Sequence, residues 1–105
     1  MSLRWAIVED NGEVTWLYLS APQSLKPVAA CFLYNQPDAP LDQLGKGIYF
    51  RWSVDGNSVA VLFGDLVMGF IADAKRPGFS RLLKSEGSLG NPMDTALYER
   101  TFRAT

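Results

Sequence analysis

Residues 47–72, GIYFRWSVDGNSVAVLFGDLVMGFIA, decide the fold. From Gly47 to Val54 the side chains alternate: Ile48, Phe50, Trp52 and Val54 point one way, Tyr49, Arg51 and Ser53 the other. A period of two is the signature of an extended strand, because successive Cβ atoms leave opposite faces of a pleated sheet. Asp55-Gly56-Asn57 then reverses the chain into Ser58–Phe63, and Gly64-Asp65 reverses it again into Leu66–Ala72. Turns this short join antiparallel neighbours, since parallel strands need a long crossover. The last two strands are apolar on both faces: Val59, Val61 and Phe63 oppose Ala60 and Leu62, and Met68 and Phe70 oppose Val67 and Ile71. A strand apolar on both sides is covered on both sides. The cover expected is a second sheet, the C-terminal segment or a partner subunit.

Upstream, Arg4–Glu9 and Glu13–Ser20 flank Asp10-Asn11-Gly12, whose Asn and Gly tolerate the positive φ of a tight hairpin. Pro27–Asn35 reads as a further strand, stopped by the two prolines of Gln36-Pro37-Asp38-Ala39-Pro40, which cannot sit inside a ladder. Downstream, Ser85–Gly90 reads as a loop. Asn91-Pro92-Met93-Asp94 reads as a helix start, with Asn91 as cap and Pro92 in the first turn, although alternation from Ala96 to Phe102 also permits a strand. Met93, Leu97, Tyr98 and Phe102 give that helix an apolar side. The expectation is a mainly β fold over one domain, residues 1–105. Its strand-rich core spans about residues 4–72, an antiparallel meander of about six strands closing into a curled sheet, a sandwich or a partly open barrel. A short C-terminal helix completes it.

Ten basic and eleven acidic residues give a net charge of −1, and the balance holds in each half of the chain. Nothing in that total draws the protein to nucleic acid or to an anionic membrane. No apolar run approaches the roughly 18 residues of a membrane span, and a cytoplasmic location is expected. Cys31 is the only cysteine and there is no histidine. Their scarcity removes Ser-His-Asp and Cys-His catalysis, His-based metal sites and two-cysteine redox chemistry. No cofactor is expected. Gly64 and Gly69 have the spacing of a phosphate loop, but Phe70 and Ile71 stand where Lys and Ser/Thr are required. Cys31, mid-strand among Ala30, Phe32 and Leu33, reads as a core thiol.

Two readings of the remaining chemistry stand side by side. Glu9, Asp10 and Glu13 crowd one hairpin end, with Asp55 and Asp65 at other turns. They are turn formers, or they supply a carboxylate pair to a small-ligand site of a hydrolase type inside a curled sheet lined by aromatics. In the second reading the site candidates form a protein-binding surface. Trp16 and Trp52 are the tryptophans best placed for exposure. Lys75, Arg76, Phe79 and Arg81 belong to the one stretch, residues 75–84, that holds four basic groups and no acid. A non-enzymatic binding or regulatory module is the favoured expectation, its partner another protein or a second copy of the chain.

Three segments carry a resemblance: Glu9-Asp10-Asn11-Gly12-Glu13 followed by Tyr18, Trp52-Ser53-Val54-Asp55-Gly56 followed by Ala60 and Leu62, and Arg76-Pro77-Gly78-Phe79-Ser80-Arg81. In these the chain resembles a family of small bacterial proteins classed as a domain of unknown function. The resemblance implies a bacterial source and brings no activity and no catalytic residues with it.

Overall fold

A computed structural model of the protein describes residues 4–21, 26–73 and 78–103. The decisive stretch forms β4 (Ile48–Trp52), β5 (Val59–Phe63) and β6 (Leu66–Ile71), antiparallel in sequence order as their short turns require. The first turn is held by Asp55, whose carboxylate accepts from Ser53 Oγ at 2.6 Å and from Asn57 N at 2.9 Å. These bonds, that from Ser53 foremost, draw the Asp55 pKa below its ordinary value. At the second turn Gly64 adopts φ +60°, and a Cβ there would meet Lys46 Cβ at 2.9 Å. A side chain at that position would be strained and crowded at once.

The N-terminal hairpin pairs β1 (Trp5–Asp10) with β2 (Val14–Ser20). Its turn is an Asx arrangement: Asp10 Oδ1 accepts from Gly12 N, and Asn11 Oδ1 from Glu13 N and Val14 N. β3 (Ala29–Asn35) follows, and the proline segment after it winds into a 3₁₀ turn (Gln36–Asp38) and a one-turn helix, α1 (Leu41–Leu44). Strands β1-β2-β3 form one sheet. The second has the order β4-β5-β6-β7-β8, where β7 (Phe79–Ser80) and β8 (Asn91–Pro92) are two-residue strands. The β7–β8 pair is parallel, the one departure from the expected antiparallel pattern.

The two sheets pack face to face. Leu17, Leu19, Leu33 and Tyr34 of the three-stranded sheet meet Val59, Val61, Phe63, Met68 and Ile71 of the five-stranded one. The far face of the larger sheet is covered by α2 (Thr95–Phe102): Ala60 and Phe70 are buried with Phe102, and Leu62, Phe79, Leu97 and Tyr98 pack around them. The doubly apolar strands are thus the middle layer of three, with the C-terminal segment as the second cover. One detail of the expected facing is corrected. Met68 and Phe70 do not share a face, because the β5–β6 register shifts between Val61 and Leu62. The bulge adds a residue to β6, so Met68 and Ile71 both turn inward and Phe70 turns to α2.

The helix starts later than the sequence suggests. Asn91 and Pro92 lie in β8, where Asn91 N donates to Gly78 O, so Asn91 is spent on the sheet and is not the cap. Pro92 fits the outer strand because its missing N–H costs no ladder bond at an edge. Asp94 caps instead, its carboxylate accepting from Leu97 N at 2.9 Å.

The sheets meet most closely where β3 passes β6 and β7. Gly69 and Gly78 permit it: a Cβ on Gly69 would stand 2.9 Å from both Cys31 Sγ and Leu33 Cδ2. Cys31 is fully buried there and its Sγ donates to Phe79 O. Burial pushes the thiol up to about 12, which makes it the inert core residue expected.

Candidate functional site

The four expected binding residues that are described, Trp16, Trp52, Phe79 and Arg81, do not share one surface. Trp16 lies on the outer face of the three-stranded sheet, stacked with Tyr18 at 6.3 Å and edge-on to Phe32 at 5.8 Å. Trp52, on the larger sheet, is turned inward, half-buried against the core between the sheets. Phe79 stacks on Phe70 at 4.9 Å beneath α2 and belongs to the second core. Arg81 is exposed, its Nε donating to Val67 O. Lys75 and Arg76 lie outside the described residues.

The acids stand at three separate turns, and Asp10 and Asp55 bond within theirs. Glu9, Asp10 and Glu13 are exposed at the first hairpin, and Asp55 and Asp65 are exposed at theirs. Among the described residues no group of three His, Cys, Asp or Glu side chains is placed to hold a metal ion. No helix among them is long and apolar enough to cross a membrane.

What the structure does assemble is an open apolar edge at β4. This strand is the outermost of its sheet, and Ile48, Tyr49 and Phe50 in succession are exposed by 45%, 57% and 42%. Ile48 and Phe50 sit on the inner side, across from Phe63 and Val61, yet remain open. Farther along the same face Trp52 packs against the core between the sheets, so it is the start of β4 that stays open. Exposed Val54, just past the strand, and exposed Leu41, shortly before it, are further apolar surface in the same part of the chain.

The backbone of this edge has a definite polarity. Ser53 N donates to Ser58 O, and Gly64 N to Gly47 O, which marks residues 47 and 53 as hydrogen-bonded pairs with β5. In an antiparallel ladder such pairs recur every second residue. The N–H and C=O groups of Tyr49 and Arg51 therefore face β5, and those of Ile48, Phe50 and Trp52 face outward. Beside them is a groove of about 500 Å³ lined by Tyr49, Phe50, Arg51 and Leu62, with Lys46 and Asp65 adding one charge of each sign.

Arg51, which sequence reasoning passed over, ties this groove to α2. Its Nη1 donates to Tyr98 Oη and its Nη2 to Phe102 O, both at 3.0 Å, and its guanidinium lies 5.8 Å from the Tyr98 ring centre. A cation on a carbonyl of the last helical turn also complements the helix dipole. The alternation placed Arg51 on the same face as Tyr49; that this face meets a helix 47 residues later was not visible locally.

Comparison of the chain with family models, with curated proteins and with solved structures finds no match in any of the three, and the functional reading rests on the geometry.

Proposed function

We propose that the protein is a non-enzymatic protein-binding module that takes an extended segment of a partner along β4. The observation that carries the reading is the coincidence of three things on one strand: an edge unpaired among the described residues, three consecutive exposed apolar side chains and an adjoining groove. A long apolar edge is a liability that proteins normally blunt with charge, proline or a cover. β4 lacks proline, and its one charged side chain, Arg51, is turned onto α2. An added strand would satisfy the outward N–H and C=O groups, while alternate side chains entered the groove, the mode by which sheet edges read peptides. The lack of histidine, the buried thiol and the dispersal of the acids support the non-enzymatic half of the reading.

Selection of an unbiased phage-displayed peptide library on the wild-type protein is expected to enrich sequences that alternate apolar and polar residues. Phe50→Lys places a charge on the edge at an exposed position. It is expected to weaken the selected peptides by roughly tenfold or more, about 1.4 kcal/mol. Failure to enrich any such peptide, or equal binding to both proteins, would remove the reading.

A further inference from the structure

We propose that β1, the free edge of the other sheet, pairs with β1 of a second copy, antiparallel about a two-fold axis at Ile7. This inference is independent of the β4 reading, since it concerns a different sheet and a different occupant.

The first argument is the direction of the backbone groups. Asn11 N donates to Val14 O, so positions 11 and 14 are a hydrogen-bonded pair, and the β1–β2 register continues it unbroken. By the two-residue alternation, Trp5, Ile7 and Glu9 bond to β2. The N–H and C=O groups of Arg4, Ala6, Val8 and Asp10 then point to the open edge, where β1 has no strand neighbour among the described residues. A two-fold antiparallel pair must match these even positions with each other.

The second argument is charge. The strand segment reads Arg4-Trp5-Ala6-Ile7-Val8-Glu9-Asp10, basic at one end and acidic at the other. Centred on Ile7, the pairing sets Arg4 opposite the second copy's Asp10, Ala6 opposite Val8, Trp5 opposite Glu9 and Ile7 opposite itself. A shift by two residues either way leaves Arg4 or Asp10 without a counterpart, and a parallel arrangement puts Arg4 beside Arg4. Only the register centred on Ile7 satisfies both ends.

The third argument is the state of these groups in the single chain. Arg4 Nε is shielded from water with no hydrogen-bond partner among the described residues. Asp10 uses Oδ1 to accept from Gly12 N, leaving Oδ2 for an incoming guanidinium. Trp5 and Ile7 are exposed by 61% and 46% on the outer face, and Ile7 would meet its own copy there. The net charge of −1 opposes association little. One strand from each copy is a small interface, so the dimer is expected to be weak, with a dissociation constant of roughly micromolar or higher.

The test uses cysteine at the axis. Opposed residues of a non-hydrogen-bonded antiparallel pair approach closely enough for a disulfide. Ile7→Cys is expected to oxidise to a covalent dimer far faster than Glu9→Cys, which would face Trp5. The wild-type chain is expected not to cross-link, because Cys31 is buried. Sedimentation at rising concentration is expected to show wild-type self-association that Ile7→Lys abolishes, by setting like charges across the axis. Arg4→Asp and Asp10→Asn, the second of which keeps the turn acceptor, are each expected to weaken it roughly threefold to tenfold. Equal cross-linking of Ile7→Cys and Glu9→Cys overturns the proposal. So does a wild-type protein that stays monomeric at every concentration, or a dimer lost in Phe50→Lys and kept in Ile7→Lys.

Discussion

Gly78→Ala is expected to lower the stability of the protein by about 3 kcal/mol or more, among the largest effects of any single methyl group in this fold. A Cβ at that position would overlap Cys31 Cβ and lie 2.6 Å from its Sγ and 2.9 Å from its Cα. None of these atoms is the far end of a flexible side chain, so relief requires moving β3. β3 cannot move alone. Gly78 N donates to Ala30 O, and Gly78 O accepts from Asn91 N, so one residue links the smaller sheet to β8 of the larger. Cys31 itself packs among Leu17, Leu33 and Met68 in the core between the sheets. Denaturant titration is expected to show a lowered midpoint with little change in slope, the mark of lost stability without a change of unfolded-state compactness. A loss below roughly 1 kcal/mol, within the range of tolerated core changes, would mean that the sheets do not approach here as described.

Phe70→Ala is expected to cost about 3–5 kcal/mol, the range for removing a fully buried phenylalanine. Phe70 is the hub of the second core: its ring centre lies 4.9 Å from Phe79, 5.6 Å from Tyr98 and 6.0 Å from Phe102. Truncation empties the space beneath α2. That helix has eight residues, too few to persist without a packed face. Besides the loss of stability, limited proteolysis is expected to cut within residues 95–103 of Phe70→Ala and to spare the wild-type protein there. An α2 equally resistant in both proteins would contradict its role as the second cover of the middle sheet.

Much of this architecture was legible because its signals are local. Asp55-Gly56-Asn57 and Gly64-Asp65 state their turns in three residues or two, and alternation from Ile48 to Trp52 states the strand that leads into the first of them. The two-sided apolarity of Val59–Phe63 demanded two covers, and both exist. What was hidden depends on partners distant in the chain. β8 exists because Asn91 finds Gly78, so a plausible cap residue became a strand and Asp94 took over the cap. The bulge opposite Val61 reversed the facing of β6 without leaving a trace in the hydrophobic pattern.

The site was harder to read for the same reason. Tryptophan and phenylalanine look alike in sequence whether they fill a core or lie on a surface. Trp16 is outside, Trp52 is turned to the core, and Phe79 is stacked under a helix. Ile48 and Phe50 are exposed while Trp52, on the same face of the same strand, packs into the core, a difference set by tertiary packing and without a local signal. The free edges were likewise invisible, because strand order decides which strands are outermost.

Residue-by-residue amide exchange along β4 in dilute protein tests the binding account most directly. The predicted result is an alternation: slow exchange at Tyr49, Arg51 and Ser53, whose N–H groups face β5, and fast exchange at Ile48, Phe50 and Trp52, whose N–H groups face outward. Protection at all six positions would mean that the edge is already covered and has no place for an incoming strand, which would contradict the account.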